Sequence, residues 1–224
     1  MPDYFSHYVI ADKTFERLDN TSKSKINDRS LYLLGAQGGD VFFAYNISIT
    51  KNNLGRAFHR LRAAEFFEKL CQGNLTYAAG FATHYALDCT LHPAVYAYEL
   101  SHKSVFAHQR MESDLGLYIS KLFRTRRCIL PRERVLSCTG PIYDSIKLVQ
   151  PDVTVTGVER CLKRHFNYTK YLYKNKKQNY VCDFDFSSLA GAVEDAIDLG
   201  VEAIKCVLSR DIQGAIFEKD FLEH

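Results

Sequence analysis

Tryptophan is absent from the 224 residues, methionine occurs twice and proline only five times. With so little proline, long stretches are free to be helical. No ladder of alternating apolar and polar residues bounded by hairpin turns occurs, which argues against a β architecture. No stretch of about 18 apolar residues exists, which excludes a membrane-spanning helix. The first residues, Met1 to His7, hold no basic region followed by an apolar run. No signal peptide is therefore read there, and a cytoplasmic location is expected. No CxxC pair occurs among the seven cysteines, Cys71, Cys89, Cys128, Cys138, Cys161, Cys182 and Cys206. The odd count and the missing pairs argue for free thiols in a reducing compartment over a disulfide framework. Charge of one sign is lacking too: the net charge of +3 makes no case by itself for nucleic-acid or membrane binding. Lys174, Lys176 and Lys177 form a local basic cluster, read as a solvated loop.

Hydrophobic residues are plentiful, at 46%. That implies a packed core rather than disorder. Helical periodicity runs through most of the chain. With no internal repeat, low-complexity tract or clear linker, the expected architecture is all-α: a single-domain multi-helix bundle over residues 1–221, with a metal centre in its core. Leu222-Glu223-His224 is read as the remnant of a vector-encoded tag.

The centre is read from one stretch, Thr83-His84-Tyr85-Ala86-Leu87-Asp88-Cys89-Thr90-Leu91-His92-Pro93. His84, Asp88 and His92 recur every four residues. On a helix such residues lie about 40° apart around the axis, one above the other on one face. Ala107-His108-Gln109-Arg110-Met111-Glu112 repeats the device with His108 and Glu112. A helix over about 75–91 buries Tyr77, Phe81, His84, Asp88 and Leu91 together, and Pro93 is expected to stop it. A second helix over 104–123 places His108, Met111, Glu112, Leu115, Ile119 and Leu122 on one face. A carboxylate on an apolar stripe is costly unless it is paired or bound to metal. Salt bridging between His and Glu explains one such pair, but is a strained explanation of both helices.

Three further residues are candidates. His7 shares an apolar face with Tyr4, Ala11 and Leu18 in a helix over 4–18. His59 does so with Ala63, Phe66, Phe67 and Leu70 in a helix over 57–70, which Gly73-Asn74 ends. By itself a histidine on an apolar face is ordinarily a satisfied core residue. Asp40 follows Gly35-Ala36-Gln37-Gly38-Gly39, whose three glycines mark a sharply bent loop. Asp40 caps a short helix at 41–45, or it is carried inward by that loop. The glycine spacing fits no dinucleotide or phosphate-loop fingerprint, and no Lys-Ser/Thr follows.

The remainder reads as scaffold. Arg124 to Arg127 form a surface turn, segments near 132–149 and 157–174 are helical, and Ser187 or Ser188 caps a long helix over 188–209. His102 and His165 lack a partner at ligand spacing.

His7, Asp40, His59, His84, Asp88, His92, His108 and Glu112 exceed the four ligands that one zinc takes. Imidazole with carboxylate suits zinc first, with iron or manganese as alternatives. Paired Glu-x-x-His motifs are missing, which argues against a di-iron carboxylate bundle. Clustered divalent ions bind anionic oxygens and lower the pKa of bound water to about 7, so a phosphoester is the natural substrate.

In this order, His7-Tyr8, Gly35-Ala36-Gln37-Gly38-Gly39-Asp40, His59, His84-Tyr85-x-x-Asp88 … His92-Pro93 and His108-x-x-x-Glu112 resemble the bacterial zinc-dependent phospholipase C family across most of residues 5–120. The resemblance implies an all-helical enzyme with a trinuclear zinc centre that hydrolyses a phosphodiester, possessing a phospholipid or related phosphoester as substrate and no stable nucleic-acid partner. It implies that His59, His84 and Asp88, with Asp40, hold one zinc. His92, His108 and Glu112 hold a second, and His7 and Asp88 a third. Asp40 orients or deprotonates the attacking water. Secreted members use the mature N-terminal residue as a further ligand, whereas Met1 lies six residues before His7, so two or three zinc ions are expected. The fungal single-strand nucleases share the architecture. A nuclease on this fold, and a family member that holds metal without catalysis, are the competing expectations. The 14 tyrosines and 15 phenylalanines do not separate them.

Overall fold

Side-chain caps set where several of the helices begin. In the computed structural model, which describes residues 4–45, 53–125, 128–175, 179–212, 215–218 and 221, the Asp28 carboxylate accepts from the backbone N–H groups of Ser30 and Leu31. It starts helix α3 (Arg29–Gly35). Asn74 caps Thr76 and Tyr77 in the same way and starts α6 (Leu75–Ser101). The other helices are α1 (Tyr4–Arg17), α2 (Asn20–Lys25), α4 (Leu54–Phe58), α5 (Ala63–Leu70), α7 (Ala107–Leu122), α8 (Arg132–Ser137), α9 (Thr139–Val149), α10 (Val155–Lys174) and α11 (Ala190–Ser209). Short 3₁₀ segments cover Gly38–Ala44, Phe186–Leu189 and Ala215–Phe217. Among the described residues there is no strand, and the all-α expectation is met in a single body.

α6 is the axis. α11 packs along it, α3 crosses it, and α1 and α7 flank its second half. Its first half, Tyr77 to Tyr85, lies in one core with Phe58, Phe66, Phe67, Phe217 and Phe221. Its second half, Leu87 to Tyr98, lies in another with Met111, Leu115, Ile119, Val193 and Ile197. His84 and Asp88 sit at the changeover between the two cores.

The crossing of α3 and α6 is made by glycine on both sides. A Cβ on Gly80 would run into the Tyr32 carbonyl, and one on Gly35 into the Tyr77 carbonyl. The backbones therefore touch. α3 ends against α6 and hands the chain directly to the 3₁₀ segment that carries Asp40.

Several boundaries differ from the sequence reading. Pro93 does not stop α6, which runs on to Ser101. The missing N–H and the ring clash cost about 3 kcal/mol. Burial of Val95 and Tyr98 against α7 offsets it, at about 1.5–3 kcal/mol for a large apolar side chain. The helix expected over 57–70 is two helices, α4 and α5, broken at His59–Arg62. That break turns His59 out of a helix and into a C-cap. The helix expected over 104–123 is shorter, and Leu122 is 41% exposed rather than on the buried face. The segment 132–149 divides at Cys138 into α8 and α9. Neither Ser187 nor Ser188 caps α11: Asp185 caps the preceding 3₁₀ turn through Ser187 N–H, and α11 starts from Leu189 without a side-chain cap.

None of the seven cysteines joins a disulfide, and Cys71, Cys138, Cys161 and Cys182 are buried. Among the described residues no helix is long and apolar enough to cross a membrane. Lys176, Lys177, Arg126, Arg127, Met1 and the 222–224 segment lie outside the described residues.

Candidate metal centre

Five elements deliver the eight candidate residues. α1 supplies His7, the 3₁₀ segment Asp40, the α4 cap His59, α6 supplies His84, Asp88 and His92, and α7 supplies His108 and Glu112. All eight come together. His7, His59, His84, Asp88 and Glu112 are buried, with Asp40, His92 and His108 half-buried. Of the two readings of Asp40, the inward-carried carboxylate is the observed one.

The glycines beside Asp40 make room for imidazoles. Gly38 has φ +51°, and a Cβ there would overlap the His84 ring. A Cβ on Gly39 would come within 2.6 Å of His59 Cε1. The glycine run that resembled a loop signal is a set of close approaches, which lets Asp40 reach both rings.

The separations suit ligands that share an ion better than direct hydrogen bonds. His7 Nε2 lies 3.6 Å from Asp40 Oδ2 and 3.7 Å from Asp88 Oδ1. His59 Nε2 lies 3.5 Å from both Asp40 Oδ1 and Asp88 Oδ2. His92 Nδ1 is 3.3 Å from Asp88 Oδ1, and its Nε2 is 3.4 Å from Glu112 Oε1. These are longer than a good N–H···O bond, which spans about 2.7–3.2 Å. Two ligands on one ion at about 2.1 Å, subtending 90–110°, are roughly 3.0–3.4 Å apart. Most of the observed spacings fall in or just above that range. The tighter contacts, His84 Nε2 to Asp88 Oδ2 at 3.1 Å and His108 Nε2 to Glu112 Oε1 at 3.0 Å, are compatible with either.

Polar satisfaction points the same way. Both Asp40 oxygens, Asp88 Oδ2, Glu112 Oε2 and His92 Nδ1 are buried without a hydrogen-bond partner. Such groups are costly in a protein interior. Five of them converging in one place is what a cation would relieve. Three groups have ligand atoms within 4.8 Å of one another: His7, Asp40 and His84; His59, His84 and Asp88; and His92, His108 and Glu112. These groups can hold a metal ion. No family, curated protein or solved structure matches the chain.

Neighbours outside the eight set the tautomers. His59 Nδ1 lies 2.7 Å from the Gly55 carbonyl, which only accepts, so Nδ1 carries the hydrogen and Nε2 offers its lone pair to the cluster. His108 Nδ1 donates to Glu99 Oε2 at 2.8 Å, which aims its Nε2 lone pair at Glu112. Glu99 was not found in the sequence. It precedes His108 by nine residues, and only the turn between α6 and α7 brings them together. His84 appears in two groups, yet a neutral imidazole has one lone pair. Its Nε2 faces Asp88 and His59, so it belongs with them, leaving His7 with Asp40 and Asp88. His84 Nδ1 also meets His7 Nδ1 at 3.2 Å, a contact that must open for both rings to bind ions through Nε2.

The electrostatics divide the groups. Burial pushes His7 down to about 4 and holds His84 well below the usual imidazole range, which favours the neutral form that a metal ligand needs. Burial opposes the charged form of His92 as well, but Asp88 and Glu112 on either side raise it well above that range. Asp88 is held well below the usual carboxylate range: burial would raise it, and the surrounding His84 and His92 overcome that. Glu112 is lowered to about 2 by His108 and His92 against the same opposition. Asp40 goes the other way. Burial dominates, the other carboxylates add to it, and its carboxyl is raised well above the usual range.

Replacing Glu99 with Gln tests the neighbour shell. The amide holds His108 less firmly and supplies no charge, so affinity of the His92–His108–Glu112 group should fall about 10–100-fold. Competition titration with a zinc chelator reads this directly. Unchanged affinity would remove Glu99 from the centre.

Two further histidines, among the described residues, stay apart. His102 is exposed and stacks on Tyr98, and His165 packs beside the Tyr4 ring. Behind the cluster, the buried Phe221 ring closes on His59 and His84 at 6.2 and 6.4 Å between centroids. In front, a cleft of ≈ 310 Å³ opens above Asp40, His59, His92, His108 and Glu112, walled by Phe43 and Tyr96. Asp88 is not among its lining residues.

Proposed function

We propose that the chain is a metal-dependent phosphodiester hydrolase, phospholipase C-like, working with two or three zinc ions. The observation that carries this reading is the position of Asp40. It is the ligand-type carboxylate with both oxygens unpartnered, and it lines the open cleft.

In this reading His59, His84 and Asp88, with Asp40, hold one ion; His92, His108 and Glu112 hold a second; His7 and Asp88 complete a third. Imidazole and carboxylate donors suit zinc. When bound, the ions neutralise phosphate oxygens and make hydroxide available at neutral pH. Asp40 takes the proton of the attacking water on a free carboxylate oxygen. Phe43, stacked on His59, and Tyr96, stacked on His92, hold those rings and narrow the space for bulk water.

Asp40→Asn should lose about 10²–10⁴-fold in turnover of a soluble chromogenic phosphodiester while keeping most bound metal. Turnover equal to that of the parent protein would remove Asp40 from the mechanism.

Phospholipid is favoured over single-stranded nucleic acid by the turn that extends the cleft wall. Leu100, one turn beyond Tyr96, is 87% exposed; Val105 and Phe106, just before His108, are 90% and 62% exposed. Large apolar side chains so exposed beside a cleft mark an interaction surface. Val105→Ser with Phe106→Ser should weaken binding to phosphatidylcholine vesicles about tenfold or more, since each inserted side chain contributes about 1.5–3 kcal/mol. Equal vesicle binding by the variant, together with cleavage of single-stranded DNA, would favour the nuclease.

A further inference from the structure

The cleft over the ligand atoms contains two cations that the metal groups do not use. Arg56 lies in α4 and Arg60 one turn further on, past the His59 cap, and both line the cleft. Both are exposed. Among the described residues neither joins a salt bridge, whereas Arg17, Arg29 and Arg62 all do. Asn53 caps α4 through the Arg56 N–H, and the Gly55 carbonyl fixes His59. The short helix thus holds two guanidinium-bearing residues and one candidate ligand as a unit.

The cleft's own carboxylates are Asp40 and Glu112, and both belong to the ligand set. A cationic head group would therefore meet two guanidiniums and no spare carboxylate. An anionic one would meet the fork geometry that pairs bidentately with phosphate or carboxylate. The metal centre adds to this bias, because three carboxylates cancel only half the charge of three divalent ions.

We propose that Arg56 and Arg60 read a second oxyanion, carried by the head group of the phosphodiester. The substrate class is then a phosphodiester whose head group bears its own phosphate or carboxylate, not a quaternary ammonium. This rests on the hydrolase reading and names its substrate.

The test uses three non-hydrolysable phosphonates that share one apolar tail and one short head-group linker. The linker ends in a phosphomonoester, a carboxylate or a trimethylammonium. Calorimetry gives their affinities for zinc-loaded protein and for the Arg56→Gln/Arg60→Gln double variant, with metal content measured on both. The phosphomonoester should bind roughly ten- to hundredfold tighter than the trimethylammonium compound, with the carboxylate between. The double variant should keep its metal and lose that ranking, and Arg56→Lys/Arg60→Lys should restore part of it. A parent protein that binds the trimethylammonium compound equally or better overturns the proposal, as does a double variant that keeps the ranking. Failure of the hydrolase reading shows separately, as protein that takes up no zinc. The ranking of the three compounds in parent and variant then still decides whether the arginines read an oxyanion.

Discussion

Asp88→Ala should remove two zinc ions per chain, not one. The two carboxylate oxygens face different ligand sets. Oδ2 lies 3.1 Å from His84 Nε2 and 3.5 Å from His59 Nε2, while Oδ1 lies 3.3 Å from His92 Nδ1 and 3.7 Å from His7 Nε2. Among the described residues no other carboxylate pairs with all four imidazoles. Burial would raise the Asp88 carboxyl, but His84 and His92 hold it well below the usual carboxylate range, so it is the negative charge around which the imidazoles gather. Alanine leaves His59 and His84 with only Asp40, and His7 with only Asp40. One carboxylate cannot serve two ions that a bridge previously joined. The His92–His108–Glu112 group keeps its three ligands and should keep its ion. Elemental analysis of zinc-saturated, desalted protein reads the difference, with far-UV circular dichroism to show that the helices remain. Loss of one equivalent would contradict the bridging role. Loss of none would contradict ligation by Asp88 altogether.

Gly80→Ala should destabilise the fold by about 2 kcal/mol, the reverse of what helix propensity predicts. In an exposed helix interior this substitution gains about 1 kcal/mol. Here the added methyl would overlap the Tyr32 carbonyl and press on Gly35 Cα, both backbone atoms that no rotamer change can move. Overpacking of that kind costs about 3 kcal/mol, so the clash wins. In a chain of this size the net loss lowers Tm by about 4–8 °C. The strain also separates α3 from α6, and α3 is the arm that delivers Gly38, Gly39 and Asp40 to His84 and His59. Zinc affinity should therefore fall with stability, although residue 80 touches no ligand atom. Gly191→Ala is the matched control: a Cβ there meets nothing within 4 Å, and in α11 it should stabilise slightly. A Gly80→Ala protein as stable as its parent would show that the two backbones can part freely, and that the crossing does not set the position of Asp40.

The local part of the centre was legible because a helix converts sequence spacing into geometry. His84, Asp88 and His92, and likewise His108 and Glu112, were assigned to one face each from their four-residue repeat, and each set does line up. A carboxylate on an apolar stripe, at Asp88 and at Glu112, was the signal that the faces meet something polar. His7, His59 and Asp40 carried no such local signal. They were tied to the others only by the order of a family resemblance, and only the packing of α1 and α3 on α6, and of α4 on the 3₁₀ segment, brings their atoms within 4 Å of Asp88 or of one another.

What the sequence determined by itself is the set of things fixed by near neighbours: an all-α chain and two ligand-bearing helix faces. The tertiary structure decided everything that depends on which surfaces meet. It carried α6 through Pro93, because burial on α7 outweighs a lost hydrogen bond. It broke the 57–70 helix so that His59 could turn inward. It set Glu99 behind His108, and it left Arg56 and Arg60 over the cleft. Each of these is a contest between a modest local preference and a larger free energy of burial or charge, and the larger energy acts between residues that the sequence does not show as neighbours.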